Sequence, residues 1–159
     1  MRPKAMGCVS ALVLGALLAA AVAGAASSAP AVVKVAFNAK MKQPIVVDAH
    51  GFTLYMFGSD PRGKATCVGN QPAAGCGRVW PPLTTAGRPR GGKGIKASLL
   101  GTTTRSDGRI QVTYNGHALY YFRGYQGTPP DKRPGDVHGE GFYGLWFALT
   151  SRGTPAVFK

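Results

Sequence analysis

The sequence predicts an all-β fold: a small sandwich or barrel-like domain built from two pseudo-symmetric, hairpin-containing repeats, preceded by an N-terminal signal helix. One phrase containing Leu-Tyr-x-Phe occurs twice, and each copy alternates apolar and polar residues at the period of a strand. Gly- and Pro-rich turns separate these short runs. No long stretch has the apolar spacing of an amphipathic helix, and KASLL at 96–100 is at most one turn.

Residues 1–25 have the three parts of a secretory signal peptide. Arg2 and Lys4 precede an uncharged apolar run, which ends in small residues at A-x-A spacing. The run is also nearly long enough for an uncleaved membrane anchor, an alternative that its Ala- and Gly-rich composition weakens. Cleavage after Ala25 would leave 134 of the 159 residues. We therefore expect a secreted or periplasmic protein with no stable membrane span after cleavage.

The rest of the chain divides by the repeated phrase. Because two isolated hairpins would be marginally stable, we expect both repeats to share one domain, residues 31–150. The predicted segments are an N-terminal segment at 26–43 with a candidate opening strand, repeat 1 at 44–109, repeat 2 at 110–150 and a C-terminal tail at 151–159.

The two copies of the phrase each predict a β-hairpin. IVVDAHGFTLYMF at 45–57 aligns without gaps on IQVTYNGHALYYF at 110–122. Asn115-Gly116 is a strong hairpin signal because both residues tolerate positive φ, and His50-Gly51 takes the same place in the first copy. Alternation predicts one apolar core face in each hairpin: Ile45, Val47, Ala49, Phe52, Leu54 and Met56, then Ile110, Val112, Tyr114, His117, Leu119 and Tyr121.

The opposite, mixed face of each hairpin carries two aromatic rings, Tyr55 and Phe57 in the first copy and Tyr120 and Phe122 in the second. Flat rings with a polar rim suit sugars or other amphipathic ligands, so these rings are candidates for a paired binding platform. The alternative is a second core. It would be covered by closing strands that carry Trp80 and Trp146, which lie 66 residues apart.

Two cysteines remain after the signal segment. Cys8 lies within that segment, whereas Cys67 and Cys76 belong to the exported chain. In an oxidising compartment an even pair predicts a disulfide. A metal site would need two further soft ligands at finger-like spacing, and none follow.

The chain is strongly basic, with a formal net charge of +13. Without Arg2 and Lys4, 17 Lys and Arg remain against 6 Asp and Glu, a net charge of +11. Much of this charge lies in two Gly- and Pro-rich stretches, residues 88–96 and 131–136. For an exported protein such charge favours an anionic envelope polymer or lipid headgroups as partner, and no nucleic acid is expected. The alternative is that the basic loops only maintain solubility.

The sequence resembles a bacterial family of secreted repeats, predicted lipoproteins of unknown function. Tyr55, Phe57 and Asp60 fit its Yx(FWY)xxD motif, and the resemblance spans roughly residues 44–150. Two departures stand out. No lipobox cysteine follows the apolar segment, and Tyr125 stands where the second copy of the motif requires Asp. The resemblance implies little about activity.

Candidate chemistry is sparse. Asp60 opens DPRG, a type I turn pattern, with a ligand-binding carboxylate as the alternative. Asp136, His138 and Glu140 would share a face of an extended chain, which raises metal binding or hydrolysis in the segment Asp131–Glu140. The Pro and Gly residues around them are typical of turns instead. The sequence supports no enzymatic role, although position alone excludes none of the six acids as a catalytic group.

We therefore predict an exported, non-catalytic envelope β-domain that acts as a binding or structural module for anionic or glycan ligands. No catalytic residue, metal site or cofactor is assigned, since neither a nucleophile elbow nor a haem attachment motif occurs. The candidate ligand-binding residues are Tyr55, Phe57, Asp60, Tyr120 and Phe122.

Overall fold

The computed structural model describes residues 29–69 and 76–158, and its regular structure is nearly all strand. These residues form three small sheets and short 3-10 turns without an α-helix, so the all-β class is confirmed. The three sheets stay separate and do not close on one another. The predicted signal helix lies outside the described residues. Within the two described ranges, no helical segment has the length and apolar character needed to span a bilayer.

The strands are short, and most pairing is antiparallel. The three sheets have the orders β2-β1-β4, β3-β8 and β5-β6-β7, and among these strands of the described residues only β1 and β4 run parallel. The strands are β1 (Val32–Asn38), β2 (Gln43–Asp48), β3 (Tyr55–Phe57), β4 (Arg90–Gly91), β5 (Leu100–Thr104), β6 (Ile110–Tyr114), β7 (His117–Ala118) and β8 (Trp146–Ala148). The 3-10 turns are Ala97–Leu99 and Phe142–Gly144.

The second hairpin forms as the sequence predicts. Tyr114 pairs with His117 across a two-residue turn, in which Asn115 has a φ of 50° and Gly116 a φ of 75°. Two successive residues with positive φ match the right-handed twist of the flanking strands. Val112 and Leu119 consequently lie together in one buried cluster, as predicted.

The first hairpin differs from the prediction by one residue. Its loop has three residues, because the Asp48 N–H donates to the Phe52 carbonyl and Val47 bridges Thr53. The Asp48 carboxylate accepts the N–H groups of His50 and Phe52, both at 2.9 Å, and thereby holds the longer loop. A slip of one residue moves every following side chain to the other face of a strand.

The predicted core face of the first hairpin is therefore wrong. Ile45 and Val47 share a buried cluster with Tyr55 and Phe57, and not with Leu54 and Met56. Leu54 and Met56 pack instead with Val46 in a second cluster. Both faces of this hairpin are internal, so the misplacement exchanges two buried layers and leaves neither exposed.

The two hairpins meet at equivalent residues of the repeat. Tyr55 and Tyr120, which are equivalent in the repeat, bridge each other: each N–H donates to the carbonyl of the other, at 2.8 and 2.9 Å. The equivalent tryptophans also meet, because Trp80 and Trp146 stack in parallel with ring centroids 3.8 Å apart. The repeat is therefore a structural one, and both copies contribute residues to each of the two buried clusters.

The two cysteines of the described residues are joined. Cys67 and Cys76 form the predicted disulfide, and both are buried in the cluster that holds the tryptophans. The Arg105 guanidinium, itself buried, donates to the Cys67 carbonyl at 3.0 Å. This contact joins Cys67 to the end of β5.

Candidate functional site

The mixed aromatic faces form an internal layer. Tyr55, Phe57, Tyr120 and Phe122 are 0%, 8%, 0% and 2% exposed. Each Phe packs against the tryptophan of the opposite copy: Phe57 stacks on Trp146 with ring centroids 4.5 Å apart, and Phe122 lies tilted against Trp80 with centroids 4.6 Å apart. An accessible binding platform would require exposed rings. The buried rings instead form the second core that the sequence offered as the alternative to a platform. Ligand binding by these residues stays a prediction.

Asp60 of the motif bonds to the tyrosine of the other copy. Its Oδ2 accepts the Tyr120 hydroxyl at 2.8 Å, and its Oδ1 accepts the Thr66 N–H and hydroxyl at 2.7 and 2.6 Å. Burial, chiefly, together with the nearby Asp60 charge raises the pKa of the Tyr120 phenol. The phenol therefore stays neutral and donates, and Asp60 links the two repeats from inside.

Asp131 gives Tyr55 the same kind of partner. Its Oδ2 accepts the Tyr55 hydroxyl at 2.6 Å, and its Oδ1 accepts the His138 N–H at 2.9 Å and lies 3.1 Å from His138 Nδ1. Burial raises the pKa of Asp131, although the Tyr55 and His138 hydrogen bonds act in the opposite direction. Burial also raises the pKa of Tyr55, and the Asp131 charge adds to this. A buried carboxyl in such a setting needs all of these donors.

Sequence reasoning missed Asp131 as the counterpart of Asp60. The motif places its Asp five residues after its Tyr, and in the second copy that position is Tyr125. Tyr125 forms a tight turn with Thr128 instead. Asp131 lies eleven residues after Tyr120 and reaches the equivalent position in space. The available signal was an Asp shortly after the second copy, in the loop that follows it.

The segment Asp131–Glu140 does not bring its candidate metal ligands together. Asp136 Oδ2 accepts the N–H groups of Lys132 and Arg133, and its Oδ1 lies 3.3 Å from Lys40 Nζ. Glu140 accepts the Ala148 N–H at 2.6 Å, and burial chiefly raises its pKa to about 7. Over residues 29–69 and 76–158, no group of three or more His, Cys, Asp or Glu side chains is arranged to hold a metal ion.

All six carboxylates are engaged within the protein. Four of them have been described above, and Asp48 also accepts the Tyr121 hydroxyl at 3.1 Å. The sixth, Asp107, binds Arg105 and Arg109, and the Arg109 hydrogen bond is the main reason why its pKa lies below the usual range. Among the described Lys and Arg residues, only Lys40, Arg105 and Arg109 have a carboxylate within ion-pair distance.

The basic side chains concentrate in two places. Residues 88–96 form the edge of the first sheet through β4, and the exposed residues of this stretch include Arg88, Arg90, Lys93 and Lys96. An open cleft of about 350 Å³ adjoins this edge and is lined by Arg88, Leu100, Thr102 and Ile110, among others. The second place is the loop 131–136, which packs against the turn between β1 and β2.

Residues 101–150 match the family model described as a secreted repeat of unknown function. The match includes the second hairpin with Tyr120 and Phe122, and it confirms the resemblance over that part of the chain. No curated protein and no solved structure matches the chain. A secreted repeat with a buried disulfide indicates an exported protein.

Proposed function

We propose that this protein is an exported, non-catalytic module of the cell envelope that binds anionic polymers through its Lys and Arg side chains. The secreted-repeat match and the disulfide support the export. One observation carries the binding role: every Asp and Glu side chain is turned inward or paired, whereas most of the described Lys and Arg side chains, with Arg105 as an exception, are exposed.

The distribution of charge makes the surface more cationic than the composition suggests. Asp48, Asp60 and Asp131 are tied to internal tyrosine hydroxyls, where they offer little repulsion to an approaching polyanion. Unpaired surface cations instead attract it over roughly the Debye length, about 8 Å at physiological ionic strength. Binding of this kind is rapid and strongly dependent on salt.

The edge formed by residues 88–96 is the best candidate for the contact. It presents four exposed cations, of which Arg88 lines an open cleft that is also lined by Leu100 and Ile110. A charged glycan chain has both anionic groups and apolar sugar faces, and such an edge can accept both. Backbone pairing of β4 to β1 holds Arg90 in place.

The test is retention of mature protein (residues 26–159) on a sulfated polysaccharide, with neutral dextran as a control. We expect retention that weakens steeply as salt rises, because exposed charges are screened. Replacing Arg88, Arg90 and Lys93 by Gln should reduce affinity about tenfold at low salt, an estimate of roughly 0.5 kcal/mol per contact.

A matched variant removes the same charge elsewhere, at Lys64, Arg123 and Arg152, which are also exposed. It should lose clearly less affinity for the polysaccharide than the variant in which Arg88, Arg90 and Lys93 are replaced by Gln. Equal losses would contradict the placement of the contact at residues 88–96. Failure of the parent protein to bind any polyanion at low salt would reject the proposed function.

A further inference from the structure

The outer edge of β5 is open. Val112 pairs in register with Thr102, but its N–H donates to the Leu83 carbonyl and its carbonyl accepts the Leu119 N–H, so Val112 does not bond to β5. The N–H and carbonyl of Thr102 therefore point away from β6, and those of Thr104 do the same, because alternate residues of a strand share one orientation. Within the described part of the chain, no other backbone group bonds to these four groups.

The outer edges of β1 and β8 are covered, in contrast to that of β5. The Ala148 N–H in β8 donates to the Glu140 carboxylate, and the Ala148 carbonyl accepts the Ala156 N–H. On the outer side of β1, the Val35 N–H donates to the Lys93 carbonyl. Open edges are commonly protected by charged residues, by Pro or by a bulge. The β5 sequence, LGTTT, contains none of these, and its register with β6 is continuous.

The open cleft described above adjoins this edge on one face of the sheet. It is lined by Leu100, Gly101 and Thr102 of β5 and by the segment 86–89, which includes Arg88. Thr102 and Arg88 are both exposed. A strand that pairs with Thr102 would therefore direct alternate side chains towards the face on which Arg88 lies.

A second cation lies on the opposite face. The side chain of Thr103 points to the other side of the sheet from that of Thr102, and its hydroxyl donates to the Gly63 carbonyl at 2.7 Å. The next residue, Lys64, is exposed. The acid that follows β5, Asp107, is already paired with two arginines. The edge is thus uncharged itself and has a cation beside it on each face.

We propose that the outer edge of β5 (Leu100–Thr104) pairs with an extended, acidic segment of another exported protein, which adds a fourth strand to the sheet β5-β6-β7. Hydrogen bonds to the backbone of Thr102 and Thr104 supply affinity, as in strand addition generally. Because side chains alternate between the faces of a strand, two neighbouring acids of the segment reach Arg88 and Lys64. The inference goes beyond the proposed function, since a polysaccharide has no peptide groups with which to pair.

A second copy of this chain fits the edge less well than an acidic segment does. Antiparallel pairing of β5 with itself would place Arg88 of both copies on the same face of one seam. Like charges that face each other across an interface are unfavourable, and each copy is strongly basic overall. An acidic segment replaces this repulsion by attraction.

The experiment measures binding of a fluorescein-labelled heptapeptide, TVEDVTV, to residues 26–159 by fluorescence anisotropy. The neutral peptide TVQNVTV should bind about fivefold more weakly, and so should TVEDVTV to the variant Arg88→Gln with Lys64→Gln, because exposed ion pairs contribute little each. The charge control, Arg123→Gln with Arg152→Gln, removes two exposed cations elsewhere and should bind TVEDVTV like the parent. Absence of binding of TVEDVTV to the parent would overturn the proposal.

Thr102→Pro tests the backbone pairing. It removes an N–H that points to the open edge and leaves the bonds between β5 and β6 in place, and edge strands tolerate Pro at such positions. Binding of TVEDVTV should fall about tenfold or more, since a hydrogen bond is lost. Thr102→Val keeps the N–H and should bind like the parent. Thermal unfolding will verify that both variants fold, and unchanged binding in Thr102→Pro would contradict strand addition.

Two N-methylated versions of TVEDVTV test the pairing without any change in the protein. One carries methyl groups on its odd-numbered residues and the other on its even-numbered residues. A strand bonds to its neighbour through only one of these two sets, so only one of the peptides should lose binding. Equal affinities of the two N-methylated peptides would reject the strand pairing and leave attraction between charges as the cause of binding.

The outcomes separate this inference from the proposed function. Retention on the sulfated polysaccharide should be unchanged in Thr102→Pro. A parent protein that is retained on the polysaccharide but does not bind the peptide would reject the strand addition alone. Peptide binding without retention on any polyanion would support the strand addition and reject the proposed function. A dimer of the parent that dissociates in Thr102→Pro would overturn the proposal by identifying a second copy as the occupant.

Discussion

The two halves of the core place a carboxylate against each tyrosine, but they take it from different positions in the chain. Asp60 follows Tyr55 by five residues and binds Tyr120, whereas Asp131 follows Tyr120 by eleven residues and binds Tyr55. Each acid therefore serves the tyrosine of the opposite copy. Both copies have the paired tyrosine and the stacked tryptophan, but the loop that supplies the acid differs in length between them.

The surroundings of the two acids differ as well. Asp60 is held by Thr66, close to a loop closed by the disulfide and bonded to Arg105. Asp131 is held by His138, in a loop rich in Pro and Gly and free of cysteine. A buried carboxylate needs several donors, and the two halves meet that requirement with different residues.

The largest expected effect comes from the paired tryptophans. Trp80→Ala and Trp146→Ala should each lower the free energy of unfolding by about 3–5 kcal/mol, since each ring contacts a Phe, a Tyr and the other tryptophan. Neither indole N–H has a hydrogen-bond partner within the described ranges, so the loss is one of packing. Urea unfolding measures it, with exposed Tyr143→Ala as control. Markedly unequal losses at the two positions would contradict the symmetric stack.

The disulfide, which lies in the first repeat, should have an intermediate effect on stability. Cys67→Ser with Cys76→Ser removes a link between residues nine apart in sequence. Loop-closure entropy predicts a loss of roughly 2–3 kcal/mol in the free energy of unfolding. Urea unfolding of the oxidised, reduced and substituted protein provides the measurement. A reduced protein as stable as the oxidised one would show that the surrounding contacts alone hold this loop.

Glu140 should make the stability depend on pH. Burial raises its pKa from 4.5 to about 7, so the folded protein favours the protonated form. The contribution of Glu140 to the free energy of unfolding is fully present below about pH 4.5 and is lost as the pH rises through about 7. Glu140→Gln should therefore raise stability at pH 8 by on the order of 1 kcal/mol and change little at pH 4, allowing for its partial exposure.

Thermal unfolding of both proteins at the two pH values tests this prediction. Asp107→Asn is the matched control, because its pKa is shifted downward and it should show no stabilisation at high pH. A stability of the Gln variant that falls between pH 4 and 8 as steeply as that of the parent would assign the dependence to another group.

The sequence predicted the second hairpin better than the first for a physical reason. Asn115-Gly116 specifies a two-residue turn by its own φ preferences. In the first hairpin the loop length depends on the Asp48 carboxylate, which accepts two loop N–H groups and admits a third residue. Alignment without gaps hides that residue, because Gly51 and Gly116 still coincide. The gapless alignment therefore assigns Leu54 and Met56 to the buried cluster in which Tyr55 and Phe57 actually lie.

The surroundings of the aromatic rings depend on contacts that repeat periodicity does not encode. Alternation identified Tyr55, Phe57, Tyr120 and Phe122 as one recurring face but could not show what covers it. The face is covered by the stacked pair Trp80 and Trp146, which the sequence places 66 residues apart. The role of Asp131 depends on the path of a loop through Pro134 and Gly135, which local residue preferences do not specify.

The exchange of acids between the two halves is tested most directly by double-mutant cycles. Tyr120→Phe combined with Asp60→Ala, and Tyr55→Phe combined with Asp131→Ala, should each give a coupling energy of about 1 kcal/mol, because a charged acceptor strengthens the hydrogen bond. The within-copy pairs, Tyr55 with Asp60 and Tyr120 with Asp131, should give a coupling close to zero. A larger coupling within a copy than between the copies would contradict the exchange.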